Sequence, residues 1–226
     1  MRTGRASRSA VLTAAVLALL TAGCAPTGKK PVGQVLVPLP APTKADGWRG
    51  VATDADEGRL QRLPAAWTEA LQEARKFDAR GVRDEGDLLR PDAALPRPAL
   101  TPGSYYCRLV KLGRTRTRAP AFGKFKPFFC FVDVEGDLLT LVKQTGDTRP
   151  AGRLWEDDDA ARLIFLGSVA QGAEKQPKAY GDDPKRDTAG VLERIGLFRW
   201  RLVVPWPQGT SKLDIYELTP VENQPE

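Results

Sequence analysis

From Ser104 onward, apolar residues recur at every second position in short runs, and this alternation constrains the fold more than any other feature. In the clearest run Phe198, Trp200, Leu202 and Val204 share one face while Arg199 and Arg201 share the other. A period of two sets one side of a strand against a core and the other toward water. The same signal predicts strands at 104–112, 127–135, 138–144, 162–169, 190–195, 198–204 and 212–218, with weaker segments near 152–155 and 173–180. Glu135-Gly136-Asp137 and Gly196-Leu197 are tight-turn signals that join neighbouring strands as hairpins. Some seven to eight short antiparallel strands predict a small barrel or a sandwich, and closure into a barrel removes edges that otherwise pair with another copy.

Upstream the period changes. Thr53, followed three places on by Asp56, marks a helix start. Leu60, Leu63, Trp67, Ala70, Leu71, Ala74 and Phe77 then form a stripe at spacings of three and four, opposite Arg59, Arg62, Glu69, Glu73 and Arg75. Pro64 inside this pattern starts a new helix or kinks the preceding one, and Gly81 ends the segment. Prolines 91, 96, 98 and 102 then mark an irregular connection. The expected fold class is mainly β with a helical N-terminal segment: helices and connection over 48–100, a β body over 101–220 and a tail at 221–226.

The first 24 residues predict the compartment. Arg2, Arg5 and Arg8 precede an apolar run, Ala10–Leu20, that is half the length a membrane-spanning helix needs. This reads as an export signal over 1–23. Thr21-Ala22-Gly23-Cys24 resembles the bacterial lipobox, although Thr21 stands where leucine is usual. The resemblance implies cleavage before Cys24, a lipid anchor on it and, with Ala25 following, the periplasmic face of the outer membrane. Ordinary signal-peptidase cleavage nearby, with Cys24 a free thiol or a disulfide partner, is the alternative. Residues 24–47, with prolines at 26, 31, 38, 40 and 42, read as an extended tether. Without residues 1–23 the net charge falls from +6 to +3, which gives no reason to expect a nucleic-acid partner.

No histidine is present, so this chain supplies no Ser-His-Asp or Cys-His machinery and no histidine metal ligand. No Walker loop, dinucleotide fingerprint, nucleophile elbow or CxxC motif occurs, and no catalytic residue, cofactor or metal is expected. Cys107 and Cys130 form an even pair inside strand-like segments and read as a disulfide, with two buried thiols as the alternative. Arg114, Arg116 and Arg118 alternate through a loop without acids and are candidate anion binders, or else a solvated hairpin tip. Glu156-Asp157-Asp158-Asp159 lacks the spaced oxygens of a calcium loop and reads as a solvated acidic turn. Asp183, Arg186, Asp187, Glu193 and Arg194 are the densest polar cluster near strand ends, read either as an ion-pair network or as carboxylates for acid–base work.

Arg59-Leu60, Ala66-Trp67, Tyr106-Cys107-Arg108, Gly152, Phe165-Leu166-Gly167, Tyr180-Gly181, Asp183-Pro184, Arg186-Asp187 and Arg199-Trp200-Arg201 together resemble an uncharacterised bacterial family, domain of unknown function 4893, over residues 48–219 or so. That resemblance implies a domain boundary and no activity. The cysteine spacing alone is also similar to that of small periplasmic protease-inhibitor barrels. The leading expectation is a lipid-anchored, non-catalytic binding module whose partner is an envelope protein, a glycan or an apolar ligand. The rivals are a hydrolase using Asp183, Asp187 and Glu193, and an inhibitor of an envelope protease or glycan hydrolase.

Overall fold

The computed structural model describes residues 43–222. The expectations for the export segment, Cys24 and the tether up to residue 42, and for residues 223–226, lie outside the described residues. Nine strands form one antiparallel sheet: β1 (Gly103–Leu112), β2 (Phe122–Lys124), β3 (Phe128–Glu135), β4 (Leu138–Lys143), β5 (Thr148–Glu156), β6 (Arg162–Gln171), β7 (Asp187–Gly196), β8 (Arg199–Pro205) and β9 (Leu213–Pro220). β1 decides barrel over sandwich. It pairs with β9 along nearly its whole length on one edge. On its other edge it pairs first with β3 and then, at its last three residues, with the short β2. Eight strands therefore close on themselves, and β2 is one extra strand beside β3.

The expected strands recur within a few residues. The weak signal near 152–155 is the middle of full-length β5, whereas 173–180 belongs to the β6–β7 connection. β2 escapes periodicity because three residues make no period; its pairing to β1 is what creates it.

Inward residues fill the barrel. Tyr105, Cys107 and Leu109 of β1 meet Cys130 and Val132 of β3, Leu141, Leu154, Phe165, Leu192, Trp200, Leu202, Tyr216 and Leu218. Cys107 and Cys130 form the disulfide, with Cα atoms 6.0 Å apart, so the two cysteines link β1 to β3 across the intervening loop and β2. Gly152 and Gly167 are direct partners across β5–β6, and a Cβ on either would run into the other strand's backbone. At Gly190 a Cβ would lie 2.8 Å from the Val203 carbonyl oxygen. These close approaches admit no side chain and mark where the sheet bends to close.

Part of the outer face is also apolar, and helices cover it. α1 (Lys44–Arg49) and α2 (Asp54–Gln61) lie over β5 to β7, and α3 (Leu63–Asp84) lies over β1, β2, β8 and β9. Ala66, Trp67, Ala70, Leu71 and Ala74 of α3 pack on Val110, Leu112, Val203, Leu213 and Ile215. Ala45 and Trp48 of α1 pack on Ile164, Leu166, Ala189 and Val191. None of the described helices is long and apolar enough to cross a membrane.

Thr53 caps α2, its Oγ1 accepting the Asp56 N–H, and Pro64 sits in the first turn of α3, where its missing N–H leaves no helical bond unmade. Some local expectations change. The first helix begins at Lys44, before the tether boundary placed at residue 47, because the acidic turn receives it: Asp158 accepts the Ala45 N–H and Asp157 accepts the Trp48 indole N–H at 2.9 Å. Asp157 and Asp158 of that turn thus dock α1, while Glu156, Asp158 and Asp159 stay exposed as expected. Phe77 is 58% exposed instead of continuing the core stripe, and the residue after it, Asp78, leaves helical geometry (φ −148°, ψ 82°). The helix also runs past Gly81 to Asp84. Phe198 lies exposed at the β7–β8 turn, and Arg201, expected in water, is fully buried.

Candidate functional site

The barrel lumen offers little room. Among the described residues it keeps a void of about 10 Å³ beside Cys130, Lys143, Phe165 and Tyr216, space for one water at most. At one end of this lumen Asp214 faces Lys111 at 3.2 Å and accepts the Ser211 hydroxyl. Burial raises the Asp214 carboxyl above its ordinary pKa.

The predicted polar cluster divides between the two ends of β7. Asp187 and Glu193 both point outward but stand six residues apart, about 20 Å along the strand. Glu193 accepts Arg201 Nε–H at 2.6 Å beneath α3, and Arg194 donates to the Pro96 carbonyl. Asp183 pairs with Lys178 at 3.0 Å, and Arg186 pairs with Glu174 at 3.0 Å. The carboxylates therefore do not converge on one cleft. The basic loop stays exposed: the Arg114 backbone N–H is held by Glu73, its guanidinium donates to the Thr117 carbonyl, and Arg116 and Arg118 have no ion-pair partner among the described residues. No cluster of potential metal ligands occurs among the described residues.

Asp187 instead belongs to a buried cluster that reading along the chain did not assemble. Asp56 of α2 pairs with Arg59, and Tyr180 donates its hydroxyl to Asp56 at 2.7 Å while accepting the Thr53 N–H. Arg59 reaches the Asp187 carbonyl at 3.4 Å, and Asp187 Oδ1 accepts the Gly181 N–H at 3.1 Å. Burial, with the Asp56 carboxylate adding to it, pushes the Tyr180 hydroxyl up to about 12. Burial also raises the Asp187 carboxyl above the ordinary aspartate range. Thr53, Asp56 and Tyr180 lie up to 127 positions apart, so only folding reveals the cluster.

Beside it runs a trough of about 680 Å³ across the outer face of β4 to β6, on the stretch of these strands that α1 and α2 leave open. Its floor follows one cross-strand row: Val142 opposite Ala151, Ala151 opposite Ser168, and Ser168 opposite Asp187. At the other end the row continues to Phe131. Trp155, Thr140 and the Arg153–Glu135 ion pair form one wall; residues 175–178 and Tyr180 form the other. Ser168 Oγ and Asp187 Oδ2 are buried without hydrogen-bond partners among the described residues. A second groove, of about 960 Å³, runs beside α3 between Trp67, Leu71, Arg75 and Pro91.

A closed eight-stranded antiparallel barrel with a packed lumen, clasped by N-terminal helices, is the class of protein this geometry defines. The chain belongs to the family described as domain of unknown function (DUF4893), whose model matches residues 48–218. Arg59, Gly152, Gly167, Tyr180, Gly181 and Asp187, among the residues that carry that likeness in sequence, border the trough or the buried cluster behind it. No curated protein matches the chain, and no solved structure does.

Proposed function

We propose that this chain is a lipid-anchored protein of the cell envelope, held through Cys24 on the periplasmic face of the outer membrane, and that it acts as a non-catalytic binding module through its outer surface. The observation that carries the binding role is the contrast between the packed lumen and the open trough. A filled barrel binds on its outside or at its ends. The separated, ion-paired carboxylates favour binding over hydrolysis. The Cys107–Cys130 disulfide favours an oxidising compartment, as the lipobox-like segment does.

The test of anchoring is metabolic labelling with radioactive palmitate in cells producing the full chain or its Cys24→Ser variant, followed by membrane fractionation. Label and outer-membrane association in the parent, both lost in the variant, are expected. An unlabelled parent overturns the anchor. Free thiols at Cys107 and Cys130 after alkylation in intact cells overturn the compartment.

A further inference from the structure

Five buried side-chain polar atoms lack a hydrogen-bond partner among the described residues, and two of them, Ser168 Oγ and Asp187 Oδ2, belong to direct cross-strand neighbours. A buried polar atom without a partner costs free energy, so two in adjacent positions call for an explanation. Ser168 is 2% exposed and lines the inner end of the trough. Asp187 continues the row directly behind it.

We propose that the trough binds a short uncharged oligosaccharide, with Ser168 as its terminal contact and Asp187 as the positioning residue behind it. This inference rests on reading the chain as a surface-binding module and names the ligand class. Three features select the class. First, the trough runs across the strands, about 14 Å from Phe131 to Ser168 at the ordinary strand spacing, so it suits an elongated ligand. A peptide adding to the sheet needs a free edge, which the open face of β4 to β6 does not supply because each of these strands is paired on both sides. Second, of the three cations along its walls Arg153 pairs with Glu135 and Lys178 with Asp183, and Lys175 alone has no ion-pair partner among the described residues, which leaves a weak net field to attract an ion. Third, the floor is apolar at Val142 and Ala151 and ends at a hydroxyl beside a carboxylate. Sugar rings match that sequence. Their C–H faces pack on apolar surface, and a hydroxyl both donates and accepts, which is what a lone serine hydroxyl lacks.

The test titrates the full chain, purified in a detergent without sugar headgroups, with chitotriose, cellotriose and an acidic trigalacturonate, read by tryptophan fluorescence and by chemical shifts of the Ser168 and Ala151 amides. Two variants accompany the parent: Ala151→Trp, which fills the trough from its half-buried floor, and Ser168→Ala, which removes only the unpartnered hydroxyl. Circular dichroism establishes that both are folded. Saturable binding of a neutral trisaccharide is expected, lost in Ala151→Trp and weakened roughly fivefold in Ser168→Ala, the loss of one hydrogen bond. No saturation with either neutral sugar at millimolar concentration overturns the proposal. Binding that survives Ala151→Trp, or a preference for trigalacturonate, overturns it as well. Palmitate labelling is independent of this titration, so the anchor and the ligand class fail separately.

Discussion

Arg201→Met tests how the outside of the barrel is held to the segment that covers it. Arg201 is 0% exposed, yet every donor group of its guanidinium is occupied. Nε donates to Glu193 at 2.6 Å; Nη1 donates to the carbonyls of Asp87, Leu88 and Arg90 at 3.1, 3.0 and 2.7 Å; Nη2 donates to the Pro91 carbonyl at 3.1 Å. The guanidinium also lies 4.9 Å from the centre of the Trp67 ring. One side chain thus ties β8, β7, α3 and the turn over 87–91 together. Methionine keeps much of the volume but leaves Glu193 buried without its cation. Breaking one partner of a buried pair costs about 3–5 kcal/mol. The four carbonyls add less than four separate penalties, because a turn at the surface recovers water when it opens. The expected loss is therefore about 3–5 kcal/mol, or a fall in Tm of roughly 6–20 °C for a chain of this size. The assay is urea unfolding followed by tryptophan fluorescence without reductant. The double variant Arg201→Met/Glu193→Leu should recover at least about 1 kcal/mol of that loss, since neither charge is then stranded. A single variant within about 1 kcal/mol of the parent, or a double variant no more stable than the single, refutes this account.

Replacing both Cys107 and Cys130 with serine should cost about 3 kcal/mol in the same unfolding assay, the constraint expected for a loop of this length; an unchanged midpoint removes the bridge from the stability argument. Asp187→Asn should change stability in a pH-dependent way. Burial raises the folded carboxyl's pKa above its unfolded value, so its contribution is most favourable below the ordinary aspartate range and is lost as pH rises through the folded value. The variant's Tm relative to the parent should therefore climb from about pH 4 to about pH 7, and a flat difference contradicts the burial argument. Asp157→Ala should undock α1, because Asp157 holds both the Trp48 indole and Arg162, at 2.9 and 2.6 Å; amide exchange over 44–49 should accelerate by roughly tenfold or more, with the barrel strands unaffected. For this carboxyl, burial acts to raise the pKa, but the bonds from Trp48 and Arg162 outweigh it and lower it overall. The docking is thus present above the ordinary aspartate range and lost as pH falls through the lowered value.

Most of the strands, the hairpin turns, the even pair Cys107 and Cys130 within strand-like segments, and a helix start or kink at Pro64 were legible in the sequence. Each of these is local: a period of two, a turn dipeptide, a ring that blocks one hydrogen bond. Tertiary structure decided the rest. Period two separates two faces of a strand but does not say what covers the outer one. Arg201 therefore read as solvated until α3 and the turn over 87–91 closed on it. Closure through β1–β9 joins segments about a hundred residues apart, and the row from Val142 through Ser168 to Asp187 exists only once four strands lie in register. Such a site is a property of pairing between distant segments, which hydrogen bonds and packing set together and which no single stretch of chain encodes.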